Sequence, residues 1–181
     1  MILPPSLRKF ALALHLALSV GWIGAVIVYL ALSVAAMTTD DDATLSAAWI
    51  GMDLAGRYAI VPLAIASLVT GIVMALGTRW GLFRHYWVVF SLVLTVLATA
   101  ILLLHMPDVT VLADVAREMA AASSEEPGTH LYARLQDGDL LHPGLGLIVL
   151  LVIQVLNVYK PRGLTGYGQR KMREQRAESA V

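Results

Sequence analysis

Four of the five histidines in this chain stand within long apolar runs or at their ends. There an imidazole can ligate a metal or a haem iron, move a proton, or pair with a polar group on a neighbouring helix. His15 lies six residues beyond Lys9, about 9 Å along a helix from the charged edge, in a run that carries no charge from Phe10 to Met37. His85 opens another apolar run and His105 closes it twenty residues later, about 30 Å away along a helix. His142 heads the last run, and His130 falls in a polar connection that could bring it near His105. The histidines thus sort into an inner pair, His15 and His85, and an outer pair, His105 and His142. Neutral imidazoles held between membrane helices can carry haem b or copper, so these four are the candidate cofactor ligands. His105 and His142, with the thioether of Met106 beside them, form the alternative copper site.

A histidine at the end of a span also has a plain use, among lipid headgroups or as a helix cap, and that reading stands beside the chemical one for His85, His105 and His142. His15 differs. His15, Ser19, Trp22, Val26, Tyr29 and Ser33 recur at alternating steps of four and three, which on a helix keeps all six within roughly 40° of one line. A spanning helix turns such a stripe toward other helices, because a polar side chain facing lipid is expensive. His105 falls near the face of Ser91 and Thr95, and His142 shares a face with Gly146, which leaves room for an approaching ring. The inner pair differs in depth by about 8 Å on upright helices, a poor match for two axial ligands of one haem.

Other chemistries find less to work with. The chain has no cysteine, which excludes disulfides, thiolate metal sites and iron–sulfur clusters. The glycine-rich 162–169 stretch lacks the Gly-Lys-Ser/Thr ending of a phosphate loop. No Ser-His-Asp grouping and no pair of carboxylates inside a span is present, so the protein is not expected to be an enzyme on its own, and nothing points to nucleic acid. Met37, Met52 and Met106 approach one side, where scattered methionines more often pack than ligate. Gln154 and Asn157 read as interhelical hydrogen-bonding groups, and Ser67-Gly71 and Gly21-Ala25 as small-residue helix contacts. Trp80, Trp87, Tyr58, Tyr86 and Tyr159 read as membrane-interface anchors, with Trp22 as the interior exception.

The elements that position these residues are apolar helices. The sequence is 58% hydrophobic and 14% charged, against about 25% charge in a soluble domain. Spans are expected near 10–37, 58–77, 85–105 and 141–159, giving an all-α polytopic membrane protein, a four-transmembrane-helix bundle in a single domain. The first run is too long for a signal-peptide core and reads as a retained span. Pro62 should kink the second span, and Thr78 to Arg84 is a tight hairpin that makes spans two and three antiparallel neighbours. Ten of the thirteen basic residues fall on the side of the N-terminus, that hairpin and the 162–181 tail. The positive-inside rule therefore places both termini in the cytoplasm, in a bacterial plasma membrane. Eleven of the thirteen acidic residues fall outside. The outer connections each carry a short amphipathic helix, one capped near Asp40-Asp41-Asp42 with Leu45, Trp49 and Met52 on one face, the other with Val111, Leu112, Val115 and Met119. These are expected to lie as lids on the membrane surface, with a further short helix over 129–136. The tail is expected to be basic and mobile, attracted to anionic lipid headgroups.

Several stretches resemble a family of bacterial integral membrane proteins that carries only a domain-of-unknown-function label. They are Leu14-His15 with Gly21-Trp22-Ile23-Gly24, Val61-Pro62-Leu63 with Thr70-Gly71, Gly77-Thr78-Arg79-Trp80-Gly81-Leu82, Tyr86-Trp87, His142-Pro143-Gly144 and Tyr159-Lys160-Pro161-Arg162-Gly163. That resemblance implies a fold and no activity. The spacing His15-x6-Trp22-x-Gly24 also resembles the first span of CopD-type copper-resistance proteins and of HemJ-type protoporphyrinogen oxidases, where it implies a haem-linked histidine. The oxidases carry a lysine in the third span and a Tyr-Leu-Pro-Arg continuation after the first. Here Trp87-Val88-Val89-Phe90-Ser91 has no lysine and the continuation is absent, which argues against that activity and leaves haem open. The expectation is a membrane protein that binds haem b or copper for redox, haem or copper handling. The alternative is a cofactor-free subunit that stabilises a membrane partner or a homo-oligomer, and a small permease is a third, less supported, reading because no pair of broken helices forms a midplane site.

Overall fold

The computed structural model describes residues 3–78, 80–121 and 134–178. The chain folds into α1 (Pro5–Thr38), α2 (Asp42–Ala55), a π-helical turn (Gly56–Ile60), α3 (Val61–Gly77), α4 (Tyr86–Ala121), α5 (Leu141–Tyr159) and α6 (Gly166–Glu178). Among the described residues, four stretches are long and apolar enough to cross a membrane: Pro5–Thr38, Asp42–Gly77, Tyr86–Ala121 and Arg134–Tyr159. The protein is an all-α, four-helix membrane bundle. α1 packs against α2, α3 and α5, and α4 against α2, α3 and α5. Large apolar side chains such as Phe10, Val28, Leu76, Leu104 and Val158 cover the outside, as lipid contact requires. Arg8, Lys9, Arg84 and Lys160 gather at one end of the bundle, hereafter the basic end; Asp41, Asp53, Asp108, Asp114 and Asp139 gather at the acidic end.

The stripe on α1 faces inward. Trp22, Val26, Tyr29, Ser33 and Ala36 are its buried residues. At the basic half Ser19 Oγ lies 2.8 Å from Ser67 Oγ on α3, and Gly21 packs on Leu63, so small residues set the α1–α3 contact. α2 begins on an Asp41 cap, whose carboxylate accepts from the Thr44 backbone N–H at 2.9 Å and from its hydroxyl at 2.6 Å. The Thr44 hydroxyl, with the backbone N–H behind it, holds the Asp41 carboxyl below the usual carboxylate range.

Two features of the acidic end differ from the sequence expectation. α4 does not stop at His105. It continues through Pro107 to Ala121, about 54 Å in all, so the amphipathic 111–119 piece extends the span rather than lying apart from it. α2 likewise runs into α3 without a break, because the π turn absorbs Pro62. Proline cannot donate to the turn before it, and the backbone answers with a Val61 N–H to Gly56 C=O bond, one residue wider than α-helical. The reason for both is one apolar seam: Leu45, Trp49 and Met52 of α2 are buried with Val109, Leu112 and Ala116 of α4. Neither piece is a separate lid. Of the 129–136 helix, 134–136 is helical, and the rest, with His130, lies outside the described residues.

The tail also departs from expectation, because its start is pinned to the α3–α4 hairpin. Thr165 N–H donates to the Arg84 carbonyl at 3.0 Å, Tyr86 N–H donates to the Gly163 carbonyl at 3.3 Å, and His85 and Leu164 form an isolated β-bridge. Gly168 sits so close to the Arg84 backbone that a Cβ there has no room. Gly168→Ala is therefore expected to release α6: trypsin should cut at Arg170–Arg173 several-fold faster, while the bundle's unfolding free energy stays within about 0.5 kcal/mol of wild type.

Candidate metal centre at the acidic end

Asp139 is where the acidic ends of three spans meet. Gly138, at φ 65°, turns the chain just ahead of α5 and packs against Met37 and the Ser33 carbonyl, a turn only a residue without Cβ fits. The turn buries Asp139, whose backbone N–H donates to Ser33 Oγ at 2.7 Å. Its Oδ2 accepts from the Tyr29 hydroxyl at 2.8 Å and from His105 Nε2 at 2.6 Å. The His142 ring stacks on His105 with centroids 3.9 Å apart and an interplanar angle of 20°. His142 Nδ1 stands 3.6 Å from Asp139 Oδ1, beyond hydrogen-bond range. One ligand atom each from His105, Asp139 and His142 lies within 4.8 Å of the others. They border a cleft of about 430 Å³, walled also by Trp49, Asp108 and Arg134. Trp49 holds the far wall by donating its indole N–H to the Leu135 carbonyl at 2.9 Å.

The four sequence candidates thus separate. His105 and His142 come together, and the sequence reading missed their third partner, Asp139. Its sequence signal is an acidic residue three before His142 and directly ahead of an apolar run. Met106 does not join them: its thioether packs against Gly56 in the π turn. Gly146 meets no neighbour, so the room expected beside it is not used by His142.

His15 and His85 have separate surroundings. His15 Nδ1 is 2.9 Å from Thr70 Oγ1, and its ring lies over Gly71. The Thr70 hydroxyl is also within 2.7 Å of the Ala66 carbonyl, so when it donates there Nδ1 carries the proton, and when it donates to Nδ1 the proton sits on Nε2. His85 Nδ1 bonds the Trp80 carbonyl at 2.8 Å, and its ring meets Trp80 edge-on at 5.2 Å. Trp87, expected at the membrane interface, is instead buried beside them. Tyr58 and Tyr159 are exposed.

The family model described as "Predicted integral membrane protein (DUF2269)" matches residues 10–161, most of the chain. No curated protein and no solved structure shows significant similarity to it.

Proposed function

The chain belongs to the DUF2269 family of predicted integral membrane proteins, and from that premise we propose that it binds a divalent transition-metal ion at the acidic end of the bundle. The observation that carries the reading is the convergence of His105, Asp139 and His142 on a solvent-reachable cleft. Two imidazoles and a carboxylate, with no thioether or thiolate, suit Zn²⁺ or Cu²⁺ better than Cu⁺. Donors about 2.0–2.1 Å from one tetrahedral ion stand about 3.3 Å apart, so His105 and Asp139, now 2.6 Å apart, must open and release the proton between them while His142 moves in. His142, with its side chain 48% exposed, is the one free to swing. Three protein ligands leave a coordination position open toward the cleft, and Tyr29 orients the carboxylate from behind. With the basic end cytoplasmic, by the positive-inside rule, the ion comes from the outer side of the plasma membrane. The function is handling or sensing of that ion.

Haem has weaker support. The cavity beside His15 measures about 190 Å³, below the ~300–1,000 Å³ typical of pockets for drug-sized ligands, which gives a porphyrin there no support. His85 is not on its wall. A cofactor-free reading rests on a specific observation as well: Asp139 already has Tyr29, His105 and Ser33 as partners, so the cluster can serve as a hydrogen-bonded clasp in a structural membrane subunit.

Loading the purified protein with Co²⁺ discriminates between the two. A ligand-field band in the visible, one equivalent of metal, and a loss of at least about tenfold in affinity in His142→Ala are expected. His142 makes no hydrogen bond to Asp139, so that variant should fold. No band, and metal content that ignores His142, would leave the clasp and remove the metal.

A further inference from the structure

The cavity of about 190 Å³ in the basic half of the bundle takes its wall from all four spans. Each span gives it an uncharged polar side chain: His15 and Ser19 from α1, Ser67 from α3, Thr95 from α4, Gln154 and Asn157 from α5. The hydroxyls are spent, because Ser19 and Ser67 bond each other and Thr95 donates to the Ser91 carbonyl. The amides are not. Gln154 and Asn157, expected to bond across helices, make no hydrogen bond among the described residues. Both are half-buried, with accessible surface left on the amide atoms. Asn157 continues the inward stripe of Leu150 and Ile153 at steps of three and four, while Leu151, Val155 and Val158 take the lipid side. His15 has one ring nitrogen on Thr70 and no partner for the other among the described residues.

An amide inside a membrane bundle is costly without a partner, so three open polar groups around one space call for an occupant that both donates and accepts. Among the described residues no carboxylate and no arginine lines the space. Its one charged residue, Lys160, is exposed at the rim beside the Trp80 ring, so nothing within holds an ion. A space of 190 Å³ takes about six waters at ~30 Å³ each, and the wall offers them the polar partners they need. From Lys160 to Leu150 that wall descends ten residues, about 15 Å, or half of a ~30 Å hydrocarbon core. There it stops. Beyond Trp22 the bundle is closed by Val26, Ile60 and Ala64, none more than 5% exposed. With the basic end cytoplasmic, we propose that this half of the bundle is a water-filled vestibule, open to the cytoplasm at Lys160 and blind at Trp22, that brings bulk water to His15. It is independent of the metal reading. Whatever His15 exchanges, it exchanges with the face opposite to the one the Asp139 cleft serves.

The chain has no cysteine, so single cysteines report on the vestibule in the whole protein. Asn157→Cys and Gln154→Cys stand inside it, and Val155→Cys and Val158→Cys on the lipid face. Membrane vesicles of either orientation are treated with the impermeant anion methanethiosulfonate ethylsulfonate, and the thiol that remains is counted with a fluorescent maleimide after denaturation. A thiol in hydrocarbon keeps its proton and does not react, whereas one in water ionises. Asn157→Cys and Gln154→Cys should therefore react at least about tenfold faster from the cytoplasmic face than from the outer one, and by the same margin faster than the lipid-facing pair. His15→Cys, deeper in, should be alkylated by the small neutral iodoacetamide about tenfold faster than Val155→Cys. Because the two amides bond no described residue, their variants should unfold at the wild-type temperature. A lowered temperature would show that protein, not water, meets the amides. Cysteines that ignore both hydrophilic reagents and react only with a lipophilic maleimide would put an acyl chain in the space. Reaction from the outer face would remove the blind end. Each of these three results overturns the vestibule.

Discussion

Asp139→Asn is expected to lower unfolding free energy by about 2–3 kcal/mol and, under the proposed function, to weaken metal binding by more than the ~100-fold seen when a supporting partner of a ligand is lost. The carboxylate is 9% exposed, and a single oxygen, Oδ2, accepts from both Tyr29 and His105. An amide can set its oxygen in that place and still accept from both partners, but without the negative charge, so His105 loses a charge-assisted bond. Its NH2 then stands in the place of Oδ1, facing His142. Because Tyr29 sits on α1, His105 on α4 and Asp139 ahead of α5, the loss should be felt where those helices meet. Trp49 is a local reporter, since its indole bonds the Leu135 carbonyl four residues before Asp139. Thermal unfolding followed by tryptophan fluorescence measures the first effect and metal titration the second. A variant that unfolds like wild type would show that the cluster does not clasp the helices. Asp139→Ala, which leaves nothing for His105 or Tyr29, should cost about 3–5 kcal/mol and mark the upper bound.

The bundle was legible because hydrophobic length and period are local properties. The α1 stripe could be read from spacing alone, and the residues on it that the sequence could not weigh against one another turned out to have different partners. His15 meets Thr70, while Tyr29 and Ser33 meet Asp139. Asp139 itself was hidden, because nothing in its neighbourhood says that a residue 106 positions after Ser33 will bond it. Such a partnership is made by the turn at Gly138, whose left-handed backbone is a tertiary requirement. The same limit explains α4. Pro107 and the acidic residues after it look like the end of a span, and only the seam against α2 shows why the helix goes on. Trp87 was misplaced for a related reason. A tryptophan at the edge of a span fits a headgroup anchor by composition, and it is the neighbouring Trp80 and Ala75 that bury it.

Asp53→Ala is expected to remove about 2–3 kcal/mol by opening the α2–α4 seam. The Asp53 side chain is 3% exposed and collects three donors: Arg57 Nε at 2.7 Å, an Arg117 guanidinium nitrogen at 2.7 Å and the Thr110 hydroxyl at 3.0 Å. Arg57 belongs to the π turn, while Arg117 and Thr110 belong to the part of α4 beyond Pro107. One buried carboxylate therefore fixes the register of two helices whose remaining contact is apolar and would tolerate sliding. The loss should fall short of the ~3–5 kcal/mol for a fully buried pair, because Arg57 and Arg117 are 48% and 39% exposed and can turn to water. Arg117→Gln should cost less, about 1 kcal/mol, since Arg57 and Thr110 still hold the carboxylate and Asp114 is an exposed partner. The double variant separates pairing from packing. A coupling of about 1–2 kcal/mol between Asp53 and Arg117, little changed by salt, is the expected result of a cycle read by thermal unfolding. Additivity within about 0.5 kcal/mol would mean that the apolar seam alone sets the register, and that the ion pair follows from the packing instead of directing it.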